Sequence, residues 1–80
     1  MVNVDAIMKI IQKNDIKIDI KDIDKDENLR EQGIDSLDFT SILFAIEEEY
    51  NVQITEDDIQ EGKLDTINSI ITFVNERTTN

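Results

Sequence analysis

The stretch Gly33-Ile34-Asp35-Ser36-Leu37-Asp38 carries the side chains best placed for chemistry, at the end of a loop and the start of a regular helix. A serine at a helix N-terminus lies beside free N–H groups and the positive end of the helix dipole, which favour an attached phosphate. Asp35 and Asp38 flank Ser36 and can help to hold a divalent metal while a partner enzyme transfers phosphate. Gly33 permits a tight turn. The alternative is that Asp35 or Ser36 is an ordinary helix cap.

The residue types that the chain lacks limit what it can do alone. It has no Cys and no His, which excludes disulfides, Cys/His zinc sites and a histidine base for a serine nucleophile. Its carboxylates are not paired with any nucleophile or cleft that the sequence identifies. We therefore predict a protein that is not an enzyme, with no specific metal site, and any chemistry at Ser36 must be performed by another protein.

Charge is distributed unevenly along the 80 residues, whose net charge is −11. Residues 31–80 hold twelve acidic and only two basic residues, Lys63 and Arg77. This balance argues against nucleic acid and anionic membranes as partners, and favours partners with basic docking patches. The alternative is a solvated surface that only maintains solubility.

Length and hydropathy predict one small domain, residues 1–80, that is monomeric and cytoplasmic. The first residues lack the apolar run of a signal peptide, and no stretch approaches the ~20 apolar residues of a membrane span.

Apolar spacing predicts an all-α fold, a small three-to-four-helix bundle with a long loop between the first and second helices. Asn3 can cap the first helix, and the second runs from about Ser36 to Tyr50. Thr55 can cap a short third helix. The predicted apolar stripes comprise Val4, Ile7, Met8 and Ile11; Phe39, Ile42, Leu43, Ile46 and Tyr50; Ile59; and Ile67, Ile70, Ile71 and Val74.

The sequence also predicts the caps of the third and fourth helices. Asp58 would complete the cap of the third helix, and Asp65 or Thr66 would cap the fourth. In the loop, the isoleucines at 16, 18 and 20 alternate with polar residues as in a half-buried strand. A lone strand cannot satisfy its backbone. We expect an extended loop over residues 15–33, pinned by some of these isoleucines and by Ile23, with a short strand or helical turn left open.

The motif around Ser36 resembles the modification motif of acyl carrier proteins. The resemblance continues through Phe44–Tyr50 with its Glu47-Glu48-Glu49 run, Val52–Ile54, Glu56–Glu61 and Asp65–Ile67. It implies that a magnesium-dependent phosphopantetheinyl transferase attaches 4′-phosphopantetheine from coenzyme A to Ser36. Acyl groups would then ride on the arm as thioesters, between enzymes of a fatty-acid, polyketide or related specialised pathway. A peptidyl or aminoacyl carrier is the alternative.

The resemblance also implies a shelter for the acyl chain among the helices. The residues expected to line it are Phe39, Ile42, Ile46, Ile59, Ile67 and Ile71. The same side chains have the spacing of an ordinary core, and one set of residues can serve both purposes.

The face of the second helix opposite its apolar stripe is predicted to dock partner enzymes. On a helical wheel this face carries Leu37, Thr40, Ser41, Phe44, Glu47 and Glu48. An apolar pair ringed by acids suits partners that supply Arg and Lys around an apolar contact. The alternative is that the loop or the last helix covers Leu37 or Phe44.

Three positions depart from the pattern of fatty-acid carriers. Gln32 stands where Leu is usual, Ser41 where an acid is usual, and Phe44 where the apolar residue is smaller or more flexible. These departures favour a dedicated carrier for a specialised pathway, which handles a polyketide, a modified lipid, or an activated amino or hydroxy acid.

Two other classes of function compete with the carrier. Residues 24–28 match the opening of an EF-hand calcium loop, but Leu29 replaces the required Gly and Asp35 the required Glu. Weak calcium binding to the acidic surface is the milder form of this alternative. A plain acidic helical adaptor would leave Ser36 unmodified as a cap, so that Ser36→Ala costs only ~1 kcal/mol of stability.

Overall fold

The computed structural model describes residues 2–14, 16 and 18–78. Four α-helices make up most of this part of the chain: α1 Val4–Lys13, α2 Ser36–Tyr50, α3 Glu56–Gln60 and α4 Ile67–Thr78. Two 3-10 helices, Ile20–Asp22 and Leu29–Gln32, lie between α1 and α2. The described residues contain no strand, and the predicted all-α fold is confirmed.

Side-chain caps fix where the helices begin. The Asn3 side chain accepts a hydrogen bond from a backbone N–H of the first turn of α1 at 2.9 Å. Thr55 and Asp58 form a reciprocal capping box at the start of α3. At the start of α4 the Thr66 hydroxyl accepts from the Ser69 N–H at 2.9 Å. The predicted caps of the first and third helices are therefore confirmed, and Thr66 is the cap of the fourth.

The core lies where the apolar stripes of α1, α2 and α4 meet, and the connecting segments complete it. Leu29 and Ile34 contribute from the segment before α2, and Leu64 from the turn before α4. The side chains with no or almost no exposed surface are Ile7, Ile11, Leu29, Ile34, Ile42, Ile46, Leu64, Ile67, Ile70 and Val74. Burial on this scale is the main source of stability for so small a chain.

The loop between α1 and α2 is pinned to the core as predicted. Ile23 is buried, and Ile16, Ile18 and Ile20 are half-buried against the core. The loop is less extended than expected, because its two 3-10 helices satisfy backbone groups that a lone strand would leave unpaired. Residues 15 and 17, which belong to the alternating pattern, lie outside the described residues.

The second half of this loop is attached to the beginning of α4. The Leu29 N–H donates to the Asp65 carbonyl at 2.8 Å, and the Arg30 guanidinium pairs with the Asp65 carboxylate at 3.0 Å. The Asn68 N–H donates to the Lys25 carbonyl at 3.1 Å. Asp65 therefore holds the loop, whereas Thr66 caps α4.

Gln32 closes the loop upon itself with three hydrogen bonds. Its side-chain oxygen accepts from the Asp24 N–H at 2.6 Å. Its amide nitrogen donates to the Asp24 carbonyl at 2.9 Å and to the Glu27 carbonyl at 3.0 Å. The side-chain amide of Gln32 thus holds this part of the loop by polar contacts.

Replacing Gln32 with Leu is expected to lower the free energy of unfolding by about 1–2 kcal/mol, because several hydrogen bonds of modest net value are lost together. Urea denaturation measures this loss, and amide hydrogen exchange at Asp24 should accelerate at the same time. Glu31→Leu, at an exposed neighbouring position, is the control. Unchanged exchange at Asp24 in the Gln32 variant would show that the three bonds do not hold the loop.

Asp58 of α3 forms ion pairs with both basic residues of residues 31–80, Lys63 and Arg77. Its carboxylate accepts from the Thr55 N–H at 3.1 Å and the Thr55 hydroxyl at 3.0 Å. Lys63 and Arg77 each lie 3.6 Å from it. The Arg77 guanidinium also stacks on the Phe73 ring, 3.7 Å from its centre. These contacts tie the short α3 to α4 and use both cations within the fold.

The ionisation of Asp58 makes the free energy of unfolding depend on pH. The backbone hydrogen bond from Thr55, helped by the Thr55 hydroxyl and the two cations, lowers the pKa of Asp58 below its ordinary value of 3.8. Because the folded carboxyl binds its proton more weakly than the unfolded one, this stabilisation is present above about pH 4 and disappears as pH falls through the folded pKa.

Asp58→Asn should therefore melt at a lower temperature than the parent at pH 7, with the gap narrowing below about pH 4, where the parent carboxylate also loses its charge. Thermal melts followed by circular dichroism from pH 7 to pH 3 measure the gap. Asp57→Asn, at an exposed position of the same helix, should show little difference at any pH. A difference in melting temperature for Asp58→Asn that stays constant down to pH 3 would contradict the stabilising role of the Asp58 carboxylate.

Candidate functional site

The beginning of α2 separates the roles of the two residues that the sequence offered as its cap. Asp35 is the cap, because its carboxylate accepts from the Asp38 N–H at 2.8 Å. The Asp35 carbonyl also accepts from the Phe39 N–H at 2.9 Å. Ser36 is instead the first residue of the helix. The alternative in which Ser36 is a cap is therefore wrong.

The Ser36 side chain is exposed and makes no hydrogen bond with any described residue. The first N–H groups of a helix have no partner within it. Since Asp35 satisfies those of Asp38 and Phe39, the N–H groups of Ser36 and Leu37 remain available. The site therefore offers a hydroxyl accessible to another protein, beside two donors suited to an anion.

The backbone before Ser36 holds the hydroxyl in this outward position. Gly33 has a φ of 96°, in the left-handed region that favours glycine. Ile34 follows and is fully buried in the core. A tight turn and a buried anchor thus lead the chain into α2. The predicted role of Gly33 as the turn before the helix is confirmed.

The acids near Ser36 do not form a metal centre on their own. No group of three or more acidic residues within the described part of the chain is placed to hold an ion. The 3-10 helix Leu29–Gln32 lies in the middle of the EF-hand-like stretch, and Leu29 is buried in the core. The stretch therefore does not follow the course of an EF-hand loop, which is the finding against that alternative.

The outer face of α2 exposes an apolar pair. Leu37 is 76% and Phe44 62% exposed. The Thr40 hydroxyl donates to the Ser36 carbonyl at 2.8 Å, and the Ser41 hydroxyl donates to the Leu37 carbonyl at 3.1 Å. Both hydroxyls are thus satisfied within the helix. The alternative in which the loop or the last helix covers Leu37 or Phe44 is wrong.

The two acids predicted on this face differ in their surroundings. One Glu47 carboxylate oxygen accepts from the Ile54 N–H at 2.9 Å, and the residue is half-buried. Glu48 is exposed and forms no ion pair with any described residue. Glu47 therefore holds the segment after α2 in place, and Glu48 is the acid more available to a partner.

The residues expected to shelter an acyl chain are split between core and surface. Ile42, Ile46 and Ile67 have no exposed surface, and Phe39 is 4% exposed. Ile59 and Ile71 are half-buried and pack against the core. The first four are therefore part of the packed core, whereas Ile59 and Ile71 lie at its edge.

Comparison with known proteins gives the class to which this helical domain with its outward serine belongs. Residues 5–74 match the family described as "Phosphopantetheine attachment site". The match includes Ser36 and all of α2. The chain is thus a phosphopantetheine-binding domain, and its cofactor is a covalently attached 4′-phosphopantetheine.

Individual relatives narrow the class to a family. The chain is 35% identical over 72 residues to an acyl carrier protein of Buchnera aphidicola subsp. Schizaphis graminum (strain Sg), covering 89% of this chain and 87% of that protein. It is 28% identical over 71 residues to one of Chlamydia felis (strain Fe/C-56), covering 88% of each. The chain belongs to the acyl carrier protein family.

Membership of this family gives the general role of the chain. It is a non-catalytic acyl carrier, as predicted, and it works with a phosphopantetheinyl transferase and with acyl-handling enzymes.

A search of the solved structures returned no match. Among the described helices none combines the length and apolar character required to cross a bilayer.

Proposed function

We propose that Ser36 is the residue that carries the 4′-phosphopantetheine. The observation that carries this proposal is the state of its hydroxyl, which is exposed at the start of α2 and free of hydrogen bonds to the described residues. The N–H groups of Ser36 and Leu37 suit the phosphate that would be attached there. Asp35 caps the helix independently, so the hydroxyl is not needed to hold the fold.

The transfer to Ser36 requires a partner enzyme, because the chain has no histidine to serve as a base. The Ser36 oxygen forms a bond to the phosphorus nearest the pantetheine of coenzyme A, and the bond to the bridging oxygen of the pyrophosphate breaks. The Ser36 proton passes to a base of the transferase, and adenosine bisphosphate leaves. Asp38, whose carboxylate flanks the site, and the transferase together would hold the magnesium ion.

The bound group supplies a terminal thiol on which acyl groups are carried as thioesters. The chain would act as one carrier domain over residues 1–80, as a monomer in the cytoplasm, in a fatty-acid, polyketide or related specialised pathway. Ser41 and Phe44, which depart from the usual residues of fatty-acid carriers, support the specialised pathway. A peptidyl or aminoacyl carrier differs only in the group that is loaded.

The outer face of α2 is our candidate for the docking surface. Its exposed apolar pair, Leu37 and Phe44, lies on the same helix as Ser36, so an enzyme bound there is close to the modified residue. Both cations of residues 31–80 are engaged by Asp58, which leaves this face acidic. The proposed contact residues are Leu37, Thr40, Ser41, Phe44, Glu47 and Glu48.

The acyl chain would be sheltered at the edge of the core. Ile59 and Ile71 keep partial exposure, so a chain could enter beside them without first opening the packed interior. The proposed lining consists of these two with Phe39, Ile42, Ile46 and Ile67 deeper in the core.

Phe44→Ala should reduce kcat/KM for an enzyme that docks on α2 by about tenfold, because an exposed aromatic anchor is lost at the contact. The loss should appear mainly in KM, and the melting temperature should change little, since the side chain is 62% exposed. Steady-state kinetics of phosphopantetheinyl transferases and acyl-loading enzymes measure it. Thr72→Ala, at an exposed position of α4, is the control. Equal kinetics for both variants with every enzyme would contradict the docking role.

The attachment itself is tested by intact mass after incubation with coenzyme A, magnesium and a broad-specificity phosphopantetheinyl transferase. The parent should gain one phosphopantetheine and Ser36→Ala none. Ser41→Ala and Ser69→Ala remove the other two serines of the chain and should gain one each. Loss of the gain in either of these variants, with retention in Ser36→Ala, would refute the assignment.

A further inference from the structure

A groove lies between α1 and α2 and leads away from Ser36. Its central depression, about 370 Å³, is lined by Ile10, Lys13, Asn14, Ala45, Glu48 and Glu49, and we call it the α1–α2 groove. A second depression shares several of these residues and extends the groove to Ser41 and Phe44. The exposed ring of Phe44 therefore stands at one end of the groove, and the acidic end of α2 at the other.

The two walls of the groove carry opposite charges that are not paired with each other. Lys13 lies on the α1 wall and Glu48 on the α2 wall. Neither forms an ion pair with any described residue. A purely basic partner surface would meet repulsion from Lys13, whereas a surface carrying both signs satisfies both walls.

The distance between the groove and Ser36 distinguishes two kinds of partner enzyme: the transferase, and the enzymes that act on the far end of the arm. Phe44 lies eight residues and Glu48 twelve residues beyond Ser36 on α2, which corresponds to about 12 and 18 Å along the helix axis. The transferase must reach the Ser36 hydroxyl itself. An enzyme that acts on the far end of a flexible arm can bind farther from Ser36.

We propose that the α1–α2 groove binds a helical segment of an acyl-processing enzyme. That segment would place an apolar side chain on Phe44, a basic one near Glu48 and an acidic one near Lys13. The proposal rests on the carrier function at Ser36 for the identity of the enzyme, whereas the charges and the apolar contact of the groove belong to α1 and α2 themselves. It extends the interaction surface beyond α2 to the end of α1.

A displayed library of randomised helical peptides, panned against the full-length protein, tests the groove without knowledge of the enzyme. We expect the enriched peptides to share an apolar, a basic and an acidic position. Lys13→Glu should weaken their binding by about tenfold, since an exposed ion pair is replaced by repulsion. Lys21→Glu makes the same charge change outside the groove lining and should have no effect. Lys13→Gln provides a milder variant if Lys13→Glu is poorly folded.

Exchanging the charges of Lys13 and Glu48 gives a more specific test of the groove. The double variant Lys13→Glu with Glu48→Lys should enrich peptides whose acidic and basic positions are exchanged. Peptides that are only basic, or insensitive to Lys13→Glu, or absent altogether, would overturn the proposal. The failure of the carrier function is seen separately, because the parent would then gain no phosphopantetheine. Lys13→Glu should be modified at the parent rate by the transferase.

Discussion

Ser36→Ala and Asp35→Ala should give opposite results in two simple assays. Ser36→Ala should abolish phosphopantetheine attachment and leave the free energy of unfolding within about 0.5 kcal/mol of the parent, as for surface substitutions that remove no contact. Asp35→Ala should lower the free energy of unfolding by about 1 kcal/mol, because α2 loses the carboxylate that accepts from the Asp38 N–H. Asp35→Ala should still be modified, though more slowly.

Urea denaturation and intact mass measured on the same preparations separate these effects. If Ser36→Ala destabilises the protein as much as Asp35→Ala does, the hydroxyl is a structural group after all. The adaptor alternative would then regain support, since it requires a serine whose only role is to hold the helix.

Ile42→Ala, at one of the fully buried residues considered for the acyl shelter, should cause a large loss of stability. Ile42 has no exposed surface. Truncating such a side chain costs about 2–5 kcal/mol, through lost burial and the cavity left behind. Small domains have a total stability near the lower end of about 5–15 kcal/mol, so the variant should be partly unfolded at moderate temperature.

Ile71→Ala is the matched control, because the side chain and the substitution are the same and the position is half-buried. We expect it to cost less than half as much. Urea denaturation of both variants measures the difference. A small, equal loss in both would mean that Ile42 lies in loosely packed space, as an open shelter would require, rather than in a closed core.

The helices were largely predictable because they depend on local sequence. Apolar residues at helical spacing defined α1, α2 and α4, and Asn3 and Thr55 identified helix starts. The motif around Ser36 and its place before an apolar run selected it as the candidate for modification, and its modification stays a prediction. Which of Asp35 and Ser36 caps α2 was not decided by the sequence, because both residue types are good caps.

Two sets of contacts were not predicted, because each depends on the path that the folded chain takes. Gln32 reads as a surface amide, and only the folded loop brings the Asp24 and Glu27 carbonyls within its reach. The convergence of Lys63 and Arg77 on Asp58 requires the packing of α3 against α4. The available signal was that these two cations stand alone among twelve acids of residues 31–80.

The most direct test of the carrier function is to locate the modification in protein isolated from its own source. Cleavage after Lys and Arg yields one peptide, residues 31–63, that contains both Ser36 and Ser41, and another that contains Ser69. Fragment ions from bonds between residues 37 and 40 distinguish the first two serines. We expect phosphopantetheine on Ser36 alone. Its presence on Ser41 or Ser69, or its absence from every molecule, would contradict the central claim.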